Sequence, residues 1–179
     1  MKILWVMIAF SARASTVFYW VDPCPPASNV CRAGDPELAR WAIEAWQSAS
    51  GEHLSFERAA SAAKAQIRVH WVSGRDGLYG ETRGGDVYVV TPAEHIDDDL
   101  LRDSIVYLTC VHEVGHALGL PHTSDFADIM YSFQYGGDIA EYFGRYRRRL
   151  KAREDIRKNS GISEEDRKRV SRIATSSPQ

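Results

Sequence analysis

This chain has no stretch long and apolar enough to cross a bilayer as a helix. Its apolar run from Ile3 to Phe10 is far too short, since a spanning helix needs about 20 such residues. Excess charge is missing as well. With 22 basic and 24 acidic side chains the formal net charge is −2, so the whole protein gives no reason to expect nucleic acid or a membrane surface as partner. Cysteine is scarce, and three of them leave one unpaired under any simple scheme. Cys24 and Cys31 lie close together in a proline-rich turn and can close a small loop in an oxidising compartment. Cys110 reads as a buried, small apolar residue on the back of a helix. What is present, 44% hydrophobic and 26% charged residues, suits one soluble globular domain.

Met1 to Ala14 combines one lysine, the apolar run and small residues at Ala12 and Ala14. It is read as a secretory signal with cleavage after Ala14, although the same run would suit a buried strand. Residues 15–179 are then a single domain, secreted to the extracellular space or periplasm.

Along that domain, Thr16 to Val21 is β-branched and aromatic and predicts a strand. Asp35 is placed to cap a helix with Pro36 at its first position, and Leu38, Trp41, Ile43, Ala45 and Trp46 give that helix a broad apolar face. His53 to Phe56 and Ala65 to Val72 predict two further strands. Residues 73–85, rich in glycine and charge, read as a loop, and Asp86 to Thr91 as another strand. His70 has no ligand partners at useful spacing. Asp97, Asp98 and Asp99 suit the first turn of a long helix running from about Asp98 to Leu118. Residues 138–160 read as a basic helical connection whose arginines form a solvated face. S-E-E-D from Ser163 opens a final helix over 163–174 with a capping box.

The stretch from Val111 to His122 carries the chemistry. It sets His112, Glu113, His116, Gly119 and His122 in the spacing H-E-x-x-H-x-x-G-x-x-H. On a helix, His112 and His116 project from one face and reach one metal ion. A third ligand six residues later needs a sharp turn. Gly119 permits it, and Pro121 keeps the helix from resuming. Three imidazoles with an open position for water is the catalytic zinc pattern, whereas structural zinc normally has four protein ligands. Zinc lowers the pKa of its water to about 7 while Glu113 takes the proton. That chemistry is peptide hydrolysis.

Asp128 to Tyr131 reads D-I-M-Y. The long motif followed by this Met-turn resembles the metzincin zinc endopeptidases. H-T-S from His122 and the turn itself are most similar to the matrixins, the matrix metalloprotease family and its bacterial-type catalytic domains. The resemblance implies an α+β fold: a twisted mixed sheet with a backing helix and an active-site helix, then a small irregular C-terminal subdomain ending in a helix. It implies one catalytic zinc ion, Met130 as an apolar floor beneath it, and Tyr131 next to the substrate. It also makes the strand Asp86 to Thr91 the edge that borders the cleft, where Val87, Tyr88 and Val89 would pair with an extended protein or peptide substrate. Animal matrixins carry a loop rich in histidine and aspartate for a second zinc and calcium. His70, Asp76 and His95 do not reproduce it, so no second zinc is expected and calcium, though possible, is unsupported.

Ser132 stands where a matrixin proline is usual, and the aromatics after it hint at an apolar substrate side chain. The partner expected is a protein or peptide, with no nucleic acid and no membrane span, and the protein is expected to be a monomer. Two other readings compete: a catalytically silent zinc-loaded peptide-binding module, and an archaemetzincin-like peptidase that trims peptide ends. The latter type carries extra cysteines after the third histidine, which this chain lacks.

Overall fold

Parallel strands cannot be joined by tight turns, so the chain must cross over between them, and its first crossover is the long helix that backs the sheet. The computed structural model describes residues 14–51, 53–74, 79–92 and 96–176. Asp76, His95 and all but the last residue of the expected signal lie outside the described residues. The elements are β1 (Ser15–Val21), α1 (Asp35–Ala49), β2 (Leu54–Arg58), β3 (Ile67–Val72), β4 (Gly80–Arg83), β5 (Asp86–Val90), α2 (Asp99–Ala117), α3 (Ile139–Arg147), α4 (Asp155–Lys158) and α5 (Glu164–Ser176).

The five strands lie in the order β2-β1-β3-β5-β4, parallel except for β4, which is antiparallel to β5. This is the expected mixed sheet with a backing helix and a ligand-bearing helix. Val69, Val87 and Val89 are fully buried and meet Leu38, Ala42 and Trp46 of α1 and Val106, Val111 and Val114 of α2 in one core. Each such aliphatic side chain contributes about 1.5–3 kcal/mol by leaving water.

The edge strand differs from expectation. Gly80–Arg83, within the stretch read as a loop, is β4 and forms the edge, while β5 is an interior strand. Gly84 and Gly85 join the two in a tight turn, with Arg83 opposite Asp86. That Gly-Gly pair is a hairpin signal that the loop reading passed over. Val87 and Val89 are therefore core residues. Tyr88 points to the other face, where its ring stacks on His70. None of the three borders the cleft.

The two sheet edges are treated differently. Along β2 the N–H of Leu54 donates to Ser50 Oγ (3.1 Å) and that of Phe56 to Gln47 Oε1 (2.8 Å), so side chains of α1 and its end occupy that edge. On β4, Tyr79 O accepts from Val90 N at 2.9 Å. By antiparallel alternation, Gly80 and Thr82 then turn their backbone groups away from the sheet.

Asp35 does not cap α1. Gly34 is the N-cap, and Asp35 lies inside the helix with its carboxylate in a two-point ion pair with Arg102 of α2; the two side chains are 0% and 3% exposed. A carboxylate buried that deeply needs a charged partner, and this one ties the backing helix to the ligand helix. Asp98 does cap α2, accepting from Leu100 N (3.0 Å) and Leu101 N (3.1 Å).

The basic connection is not one helix. It divides into α3 and α4, and its arginines reach back to acids on other elements: Arg147 to Asp98, Arg153 to Asp103 and Glu37, and Arg157 to Glu44. These pairs tie the stretch to α1 and to the start of α2. No helix among the described residues is long and apolar enough to cross a membrane.

Candidate metal centre and cleft

His112 and His116 sit one turn apart on the last part of α2, and each ring is fixed from behind. His112 Nδ1 donates to Ile129 O (2.7 Å) and His116 Nδ1 to Leu120 O (2.8 Å). With the proton on Nδ1, the Nε2 lone pair of each ring faces forward. The chain turns at Gly119, whose φ of 94° is left-handed, and its N–H donates to His116 O at 2.8 Å. That turn brings His122 round. The three Nε2 atoms stand 3.0, 3.1 and 3.2 Å apart.

Convergent lone pairs repel unless a cation lies among them. Two ligands at about 2.0–2.1 Å from one zinc with a tetrahedral angle stand roughly 3.3 Å apart, close to the spacing here. The three imidazoles therefore fit a single zinc ion, and they are the one group of three or more potential metal-binding side chains among the described residues. Burial drives the pKa of His112 down to about 4, against the pull of the Ile129 carbonyl and helped by the neighbouring histidines; burial and His116 lower that of His122. Both rings are thus kept neutral, the form that binds metal.

Glu113 points to the other side, toward β4. Burial raises its pKa to about 7, opposed by a hydrogen bond from Thr82 and assisted by the charge of Glu81. Thr82 Oγ1 lies 2.7 Å from Glu113 Oε2 and 2.9 Å from its carbonyl oxygen. Gly80 makes this approach possible, because a Cβ there would stand 2.7 Å from Glu113 Cγ and 2.9 Å from Thr109 Cγ2.

Beneath the histidines the Met-turn is clamped from both sides. Thr123 N donates to Met130 O (2.8 Å) and Ser132 N to Thr123 O (3.1 Å), and Met130 is fully buried. From α5, Asp166 accepts from Ile129 N at 2.8 Å. Ile129 is thus held by its N–H while its carbonyl orients His112. Asp128 is bound by Ser163 (2.7 Å) and Arg169 (2.9 Å), which more than offset its burial and leave its pKa lowered.

A cavity of about 700 Å³ opens beside His112, His116, His122 and Glu113, between β4 and the segment after the Met-turn. Leu108, Tyr131, Phe133, Tyr142 and Phe143 form its apolar walls. Tyr131 is at the cavity, as expected, but its hydroxyl is committed to Gly136 O at 2.7 Å. Tyr142 and Phe143, on α3, and Thr82, on β4, were not foreseen from sequence, although the Gly84-Gly85 turn could have placed the last.

The Matrixin profile of peptidase family M10 matches residues 13–141, which leaves most of α3 and all of α4 and α5 past it. Interstitial collagenase of Bos taurus is 29% identical over 126 residues, covering 62% of this chain and 26% of the relative. The Sus scrofa enzyme is 31% identical over 113 residues (55% and 24%). Macrophage metalloelastase of Oryctolagus cuniculus is 34% identical over 88 residues (41% and 19%). The chain thus spans about a quarter or less of the length of these relatives. Among solved structures, archaemetzincin from Methanopyrus kandleri aligns over 94% of this chain and 99% of its own, with a TM-score of 0.49 and 13% identity. With the family profile matching well over half of its length, this chain belongs to the matrixin family.

Proposed function

We propose that this protein is a zinc-dependent endopeptidase that cuts extended protein or peptide substrates, with His112, His116 and His122 as metal ligands and Glu113 as general base. The observation that carries the reading is the convergence of three Nε2 atoms within 3.0–3.2 Å, with Glu113 lining the same open cleft. Bound zinc supplies a Lewis acid that polarises the scissile carbonyl and acidifies water. Glu113 accepts a proton from the attacking water and returns it to the departing amine nitrogen. Its burial supports this role, because a carboxyl whose pKa lies near neutrality both takes and gives a proton readily.

The substrate lies antiparallel to β4 and pairs with the outward backbone groups of Gly80 and Thr82, while the apolar cavity takes one of its side chains. Met130 supports the ligands from below without binding metal. The three histidines, Glu113 and the cavity walls all lie on one chain, so the site needs no second copy to be complete, and we propose a monomer. The Cys24–Cys31 disulfide supports secretion to an oxidising compartment.

The test is cleavage of a mixed peptide library by zinc-loaded protein beside Glu113→Ala, with products identified by mass. Internal cuts that disappear in the variant and with chelator are expected. Cuts confined to peptide ends would replace the endopeptidase reading with end trimming, and no cuts from folded, zinc-loaded protein would overturn catalysis altogether.

A further inference from the structure

The hydroxyl of Thr82 makes its hydrogen bonds to a single residue. Thr82 lies opposite Val87 on the inner face of β4, where a β-branched side chain suits the strand with or without its oxygen. Its Oγ1 is instead turned onto one residue of α2 and reaches both Glu113 Oε2 (2.7 Å) and Glu113 O (2.9 Å). On the same strand, the bare Cα of Gly80 leaves the space that Glu113 Cγ and Oε1 occupy. The carboxylate is therefore held by the edge strand at two points, one polar and one steric.

We infer that Thr82 is a positioning residue for Glu113: its hydroxyl fixes the carboxylate rotamer so that the general base keeps its register with the strand on which the substrate pairs. This rests on the proposed peptidase reading. Thr82 turns its backbone groups to the cleft and its side chain to the base. A peptide docked along β4 is thus located by the same residue that locates the proton acceptor. A glutamate on a helix has three side-chain torsions, and without the hydroxyl its carboxylate would be free to sample orientations away from the water it must deprotonate. Oε2 accepts the Thr82 hydrogen bond, which leaves Oε1 as the oxygen free to take the proton.

The test compares Thr82→Val, which removes the hydroxyl at nearly constant shape, with Thr82→Ser, which keeps it. The readouts are kcat and KM on a peptide that the wild type cleaves, and zinc affinity by competition with a chromogenic chelator. In T82V we expect kcat to fall about ten- to a hundredfold, with KM and zinc affinity each within about twofold of wild type. In T82S, kcat should return to within about threefold. A T82V enzyme with wild-type kcat would overturn the inference and leave the peptidase reading intact. So would a T82V enzyme whose zinc affinity falls in step with kcat, since the hydroxyl would then be supporting the helix rather than the base. Wild-type protein that cleaves nothing would bring down both readings. Should T82V not fold, Thr82→Ala against T82S makes the same comparison.

Discussion

Gly119 carries more of the site's geometry than its lack of a side chain suggests. Its φ of 94° turns the chain from the axis of α2 to His122, and a residue with a Cβ is strained there whatever space surrounds it. Gly119→Ala should cost about 1–3 kcal/mol in thermal or chemical unfolding. It should also weaken zinc binding while His112 remains in place, because the strain is relieved most easily by moving the turn that carries His122, the most exposed of the three histidines. Loss of stability with unchanged zinc affinity, read by chelator competition, would show that His122 does not depend on this turn. The half-buried rings differ from one another. His112 is tied to Ile129 O, outside the turn, so its orientation survives small shifts there, whereas His116 is tied to Leu120 O, next to Gly119, and shares in them.

Helix α2 works as a rigid arm fastened along its length. At its start Asp98 caps the first turn and pairs with Arg147 of α3. In its first turns Arg102 is buried against Asp35, and near its end Trp46 Nε1 donates to Val111 O at 2.8 Å. Asp98→Ala should therefore destabilise the protein by about 0.5–2 kcal/mol, the ordinary worth of an N-cap, in a denaturant titration. The metal site, more than three turns away and held by other contacts, should keep its zinc affinity. A large fall in affinity would mean that the ligands depend on the far end of the helix. The edge strands show a division of labour of the same kind. Ser50 and Gln47 occupy the β2 edge, which protects it from pairing with another chain, whereas the β4 edge keeps outward groups beside the cleft.

At the scale of the whole molecule, the face of the sheet turned away from α1 and α2 is pinned by charges. His70 lies between Asp22 (2.8 Å) and Asp86 (3.0 Å), and Asp86 also holds Arg68. Burial lowers the pKa of His70, but the bonds to Asp86 and Asp22 outweigh it and leave the value raised above 6.5. A raised folded value means that protonation favours the folded state. The stability His70 contributes is fully present below about pH 6.5, the unfolded value, and is lost as pH rises through the folded value. The difference in unfolding free energy between wild type and His70→Gln should accordingly be largest on the acid side and shrink toward pH 9. A difference that grows with pH would contradict the assignment, as would an NMR titration midpoint for His70 below 6.5.

Some of this was legible in residue order. Histidines four apart on a helix, a glycine to end it and a proline to stop its return act within one short segment, so their geometry follows from backbone rules alone. The capping box at Ser163, the acidic start of α2 and the apolar faces of α1 and α2 were readable for the same reason, although the reading did not single out Asp98 as the cap. Asp35 was misread as a cap because its charge is satisfied by Arg102, 67 residues away. The cleft edge was misassigned because neighbour order in a sheet depends on which strands find each other, and β4 is short, polar and half glycine-flanked. Thr82 and Glu113 are 31 residues apart, and Asp166 and Ile129 are 37 apart. By itself, then, the sequence determined the helix that carries His112, Glu113 and His116 and the turn that brings His122 back to it. Only the tertiary structure decided which strand forms the sheet edge at the cleft, what walls the cavity and what Glu113 rests against, because those contacts join segments whose proximity arises from burying a common core.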